Sequence, residues 1–211
     1  MSDFPTSAKV VVIGAGIVGN CLVGHLARLG WTDMVLLDKG PLPNPGGSTG
    51  HASNFIFPVD HNKEMALLGV QSANQYRDMH LSVDSGGIEV ARTQERMNEL
   101  DRRMTSAKAW GVEAELLTPA QVKELVPFIN DDVILGGFHC PTVSVVDSLE
   151  TGTVMRKEAI EKSGLQVFAN TEVLEMLTEE DPVPGMTRIT GVVTDKGTIE
   201  AEYVVIACGV W

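Results

Sequence analysis

The chain has 211 residues, 44% of them hydrophobic and 21% charged, with a formal net charge of −12. That length suits one sizeable core, or one domain carrying an inserted excursion. No apolar run reaches the ~18 uncharged residues of a membrane span, and the acidic surplus repels both phosphate backbones and anionic lipid, so neither nucleic acid nor a membrane surface is expected as a partner.

The opening segment, MSDFPTSAK, lacks the basic region and small-residue cleavage site of a signal peptide, so a cytoplasmic location is expected. Lys9–Gly14, KVVVIG, is a β-branched run closed by glycine and reads as a buried strand. A helix is predicted over Ile17–Leu29, with Val18, Leu22, Leu26 and Leu29 at helical spacing as its apolar face and Gly30 as a left-handed terminator. Asp33–Asp38, DMVLLD, is a second buried strand, completing a βαβ unit of about thirty residues.

The next stretch, KGPLPNPGGSTGHASN from Lys39 to Asn54, contains three prolines and four glycines. It must be a long loop, and long ordered loops tend to be functional. Helical patterning returns over residues 62–79, then a strand at Gly87–Arg92, a helix at Gln94–Trp110 and a short one at Pro119–Val126. Val133–Cys140 reads as a strand, and Asp147 or Ser148 can cap a helix running to Ser163. LQVFA, EVLEML, RITGVVTD and YVVIAC read as strands, with Asp195–Gly197 as a hairpin turn. The expected class is α/β: a Rossmann-like dinucleotide domain interrupted by an α+β excursion. The divisions are expected at 1–85, 86–145 and 146–211.

GAGIVG sets Gly14, Gly16 and Gly19 in G-x-G-x-x-G spacing between a predicted strand and a predicted helix. Gly14 permits the tight turn, Gly16 admits a pyrophosphate to the backbone, and Gly19 lets helix and strand approach. The amides of Ile17 and Val18 would then face the phosphates. Asp38 ends the next strand about 20 residues further on, where an acid accepts hydrogen bonds from an adenosine ribose and disfavours a 2′-phosphate. Asp38 does not separate NAD from FAD, and an NAD-dependent dehydrogenase stays as an alternative. The long loop favours FAD, whose isoalloxazine must be housed beyond the pyrophosphate. In that loop His51 is, by its setting alone, a solvated histidine or a flavin neighbour.

VVVIGAGIVGNCLVGHLARLG, VLLDKGPL and PGGSTGHAS, with GGIEVA, AWGVEAELLTPAQVKEL and ILGGFHCP, resemble the FAD-dependent amine oxidoreductases of the D-amino-acid oxidase superfamily, nearest the dimethylglycine oxidase and sarcosine dehydrogenase branch. The resemblance runs through essentially the whole chain. It implies a flavin bonded through a ring nitrogen of His51, and glycines around that histidine let backbone lie close to a flat ring. It further implies that Ser48, Thr49 and Gly50 offer hydrogen bonds to pyrophosphate or flavin, that Lys39 lies near the adenosine, and that Val173 holds the adenine by its backbone. VVIACG resembles a strand that passes the flavin, with Cys208 where the family carries threonine.

The implied activity is oxidation of a secondary or tertiary amino acid, of the sarcosine or N,N-dimethylglycine kind, by hydride transfer to FAD. The partner is thus a small amino acid. No catalytic base is identified, since in this family it lies beyond the region resembled. The chain stops at Trp211 just after a predicted strand, so a missing C-terminal region or a partner subunit is expected, and a noncatalytic flavin-binding fragment or subunit is the other reading. Cys21, Cys140 and Cys208, set among apolar residues, are read as reduced, buried thiols. His25, His61, His80 and His139 show no metal-ligand spacing, and no metal is expected.

Overall fold

The computed structural model describes residues 4–60, 62–183 and 185–211. His61 therefore lies outside the described residues. The chain divides into two compact units, one of residues 1–52 with 148–211, the other of residues 53–147.

The first unit opens with β1 (Ser7–Ile13), α1 (Ile17–Arg28) and β2 (Met34–Leu37). All four residues of β2 are buried, which explains a strand with no polar alternation: both faces of its sheet are covered. Gly30 adopts φ +83°, the left-handed conformation expected of a helix terminator. The predicted apolar face of α1 is corrected by the structure. Val18 is 66% exposed and Leu29 76% exposed, whereas Gly19, Asn20, Val23, Gly24 and Ala27 are buried. Leu22 and Leu26 of the predicted face do pack, half-buried, against the same core, and the residues that meet α5 are small because the two helices approach closely there.

The second unit is continuous in sequence. It contains β3 (Phe55–Ile56), α2 (Lys63–Asp78), β4 (Ser82–Asp84), β5 (Gly87–Ala91), α3 (Gln94–Ala109), β6 (Glu115–Leu117), α4 (Pro119–Leu125), β7 (Gly136–Cys140) and β8 (Ser144–Val146). Each helix starts on a side chain suited to it. Asn62 accepts from the Met65 amide and Thr93 from the Arg96 amide, while Thr118 and Gln121 form a reciprocal capping box ahead of α4. The strand expected from Val133 begins only at Gly136, because Asp131–Val133 form a 3₁₀ turn. Two antiparallel sheets result, ordered β3-β8-β4 and β5-β7-β6. Since β3 and β4 both pair with β8, the division expected after residue 85 falls instead after residue 52. Phe138, Leu100 and Cys140 are fully buried in this core, and Arg103 pairs with Glu89 while lying over the rings of Phe57 and Phe138.

The chain then returns to the first unit through α5 (Ser148–Ser163), β9 (Gln166–Phe168), β10 (Val173–Glu180), β11 (Thr187–Thr194) and β12 (Gly197–Ile206). The completed sheet has the order β10-β11-β12-β1-β2-β9. Strands β12, β1, β2 and β9 are parallel, and β10, β11 and β12 form an antiparallel meander. Val10, Val12, Met34 and Leu36 pack with Val23 and Ala27 of α1 and Ala159 of α5. Their neighbours Val11, Ile13, Val35 and Leu37 pack with Val192 and Ile199 instead. The two helices meet at small residues: a Cβ on Gly24 would stand 2.7 Å from Cε of Met155. Among the described residues no helix is long and apolar enough to cross a membrane, and no cluster of three or more potential metal ligands occurs.

A three-membered ion network ties α1 to α5. Arg28 donates to both carboxylate oxygens of Glu158, at 2.9 and 2.6 Å, and Lys162 Nζ adds a 2.6 Å contact. The Arg28 fork, with Lys162, holds the Glu158 carboxyl down at about 2 against an ordinary 4.5. A carboxyl with a depressed folded-state pKa contributes stability above its unfolded value, and that contribution disappears as pH falls through the folded one. Because Glu158 is partly solvated, Glu158→Gln should cost only about 1 kcal/mol at neutral pH. Urea unfolding across a pH series should show the difference between wild type and variant closing from pH 4.5 toward pH 2.

Candidate active site

The turn from β1 into α1 is built around two glycines whose Cβ atoms would have nowhere to go. Gly14 has φ +106°, and a Cβ there would stand 2.4 Å from the carbonyl oxygen of Ala207, just past β12. A Cβ on Gly19 would lie 1.8 Å from the carbonyl oxygen of Gly14. The chain can thus turn sharply out of β1, with its amide (Gly14 N) bonded to Leu37 O at 2.8 Å. Helix α1 starts at Gly16 with no side-chain cap from that residue and no acid in its first turn. Its positive end is therefore available to an anion.

Asp38 fixes this turn from the end of β2. Its Oδ2 accepts from Ala15 N at 2.7 Å and its Oδ1 from Gly40 N at 2.8 Å. The carboxylate therefore joins the glycine turn to the start of the long loop, and each oxygen retains a lone pair for a further donor. The loop is fastened again at Thr49. Its Oγ1 accepts from Ile17 N at 2.9 Å, while its carbonyl oxygen accepts from Ser148 Oγ at 2.7 Å. The Ile17 amide, expected to face a phosphate, is thus taken by Thr49 in this structure. The threonine hydroxyl proton remains free to donate.

These residues line a cavity of about 820 Å³ that lies wholly within the first unit, a volume suited to a sizeable organic ligand. Gly14, Gly16, Ile17 and Val18 form its floor with Asp38 and Lys39, and Ser48 and Thr49 join them from the loop. Val173 lines it too, at the first residue of β10 beside Thr171 and Glu172. Three predicted residues do not reach the cavity. Gly19 is buried behind the turn, as a packing role requires. Gly50 packs against the Asn44 side chain, and His51 ends an exposed 3₁₀ turn over Ser48–His51.

The cavity also includes residues that sequence reading did not single out. Val210 and Trp211 line it beyond β12, next to Ile206 and Gly209 of the VVIACG segment noted above, and Lys39 Nζ lies 5.1 Å from the centre of the Trp211 ring. Cys208 lines it as well, its thiol directed at Ile13 O at 3.5 Å; no disulfide joins the three cysteines, of which Cys140 alone is buried while Cys21 and Cys208 are half-buried. Ser148 was legible only as a helix cap, because its bond to Thr49 spans distant sequence. Buried Asn20, whose Nδ2 donates to Ala15 O at 2.7 Å, was detectable in principle: it falls three and seven residues before buried Val23 and Ala27.

Residues 9–211 match the family described as FAD dependent oxidoreductase. The chain is 33% identical to mitochondrial sarcosine dehydrogenase of Mus musculus and 30% identical to the mitochondrial pyruvate dehydrogenase phosphatase regulatory subunit of Mus musculus. Each match covers 98% of this chain and 23% of the relative, so the chain spans about a quarter of those proteins. Among solved structures it superposes on L-proline dehydrogenase from P. horikoshii with a TM-score of 0.87 and 25% identity, covering 97% of this chain and 53% of that one. A test of the glycine turn follows from its geometry. Gly14→Ala forces both a left-handed alanine and a clash with Ala207, at a cost on the order of 3 kcal/mol. Thermal unfolding should register that loss, and the variant should show no flavin quenching on titration with FAD.

Proposed function

The chain belongs to the FAD dependent oxidoreductase family, and on that premise we propose that it binds FAD in the cavity of its first unit as the cofactor-binding part of an amino-acid oxidoreductase. The observation carrying this reading is the joint arrangement at the β1–α1 turn: a helix terminus with no acid in its first turn, a carboxylate at the end of β2, and a loop fastened across both by Thr49 on the Ile17 amide. The residues fit the cofactor chemically. Gly16 and the Val18 amide, with the Thr49 hydroxyl that holds the Ile17 amide, would receive the pyrophosphate, Asp38 would accept from the ribose, and the backbone at Val173 would border the adenine.

When bound, the flavin supplies the two-electron acceptor; the protein supplies binding, orientation and electrostatics. Thr49 holds the loop against α1 and lines the cavity, while Ser148 keeps that residue in place by donating to its carbonyl oxygen. The substrate proposed is an N-methylated or secondary amino acid, by analogy with the relatives named sarcosine dehydrogenase and dimethylglycine dehydrogenase. His51 is proposed as the tether of the flavin. Its exposure at the end of a short turn leaves a ring nitrogen accessible, and the fastened Thr49 two residues earlier restricts how far it can wander.

Acid precipitation of the loaded protein tests the tether directly. Yellow colour should stay in the pellet of the wild type and pass to the supernatant for His51→Ala; free flavin from the wild type would overturn attachment. A second reading, a flavin-binding regulatory role without amine oxidation, is favoured by the 30% identity to the mouse phosphatase regulatory subunit. Anaerobic addition of sarcosine or N,N-dimethylglycine separates the two. Bleaching of the bound flavin supports oxidation, and a spectrum unchanged by either amine in the 211-residue chain and in any longer polypeptide carrying it supports the regulatory reading.

A further inference from the structure

Beneath the glycine turn lies a buried cation. Arg156, on α5, is 9% exposed, yet no carboxylate pairs with it among the described residues. Its Nη1 donates to Asn20 Oδ1 at 3.0 Å, and its Nη2 makes a longer 3.4 Å contact with Thr153 Oγ1. Burial alone pulls its guanidinium below its ordinary value, with no acid acting to raise it. Arginine nevertheless stays charged in proteins, and a buried charge is costly unless something offsets it. Elsewhere in the same helix pair, Arg28 is half-solvated and has two carboxylate oxygens of Glu158. The buried arginine has the amide of Asn20 instead.

That amide leads to the turn. A guanidinium can only donate and a carbonyl can only accept, so Asn20 must direct Oδ1 to Arg156 and Nδ2 to Ala15 O. Ala15 is then held on both sides, by its carbonyl to Asn20 and by its amide to Asp38. Gly152 makes room for this arrangement, since a Cβ there would stand 2.9 Å from Asn20 Nδ2.

We propose that Arg156 is a positioning residue for the cofactor, a buried counter-charge to the pyrophosphate that acts through Asn20 on the glycine turn. The inference rests on the FAD reading above. The missing acid would be supplied by the ligand: two phosphate charges in front of α1 offset a cation behind it, across an interior that screens weakly. The apoprotein carries the desolvated charge unpaired, and binding relieves it.

The experiment measures FAD affinity by quenching of flavin fluorescence, and the melting temperature of the FAD-free protein, for the 211-residue wild type, R156Q and R156K. Glutamine keeps a donor for Asn20 without the charge; lysine keeps the charge without the fork. The expected result is a loss of FAD affinity of tenfold or more in R156Q, with an FAD-free melting temperature equal to or above the wild type, and an intermediate affinity for R156K. A fall in the FAD-free melting temperature of R156Q that accompanies its loss of affinity would assign the residue to structure alone and overturn the proposal, as would equal losses in R156Q and R156K. Unchanged affinity in R156Q would overturn it while leaving the FAD reading intact. Failure of the wild type to bind FAD would instead overturn that reading and this inference with it.

Discussion

The carboxylate of Asp38 is the joint on which the binding half of this molecule turns. One oxygen holds the glycine turn and the other the start of the long loop, so a single side chain sets the distance between the two segments that border the cavity. Charge-assisted bonds to backbone amides are stronger and shorter than neutral ones, and the 2.7 and 2.8 Å separations are of that kind. Once the turn is fixed, Ile17 N meets Thr49, and Thr49 in turn meets Ser148. The loop that ends at His51, rich in glycine and proline and with little regular structure of its own, is thus placed by bonds to three elements.

Much of this half could be read from residue order because its signals are local. A β-branched run, three spaced glycines and an acid at the next strand end each report a backbone requirement that few other residues meet. Even so, the buried side of α1 was misread. Apolar spacing chose Val18 and Leu29, but the helix presses its smallest residues on α5, whose position along the sequence gives no hint of that contact. Close approach selects against bulk, so the tightest face of a helix need not be its greasiest.

The second unit was harder for a different reason. Its helices announce themselves through Asn62, Thr93 and the Thr118–Gln121 box, whereas β3, β4, β6 and β8 are two or three residues long. Strands that short carry almost no periodicity and exist because a partner far along the chain completes them. Moving the unit boundary from residue 85 to residue 52 follows from that alone. The Arg156–Asn20 pair escaped notice for a similar reason, since an arginine on a helix is ordinary until the packing around it is known.

The pairing of β1 with β12 joins Ser7 to Glu200 and Ile13 to Ile206, which makes it one of the longest loops this chain can close. Loop closure must be paid before such a contact returns anything, although the cost grows only slowly with length. The second unit, contiguous from residue 53 to 147, can settle its own pairings while the sheet of the first is still open. During synthesis β1, α1 and β2 emerge before their outer partners, and the β1–β2 pair waits with two apolar strand edges unpaired, that of β2 until β9 arrives and that of β1 until β12 does. The cavity of the first unit, which needs Ala207 against Gly14, is accordingly a late product of folding, and the interval before it forms is when the exposed edge of β1 is most open to pairing with the wrong chain.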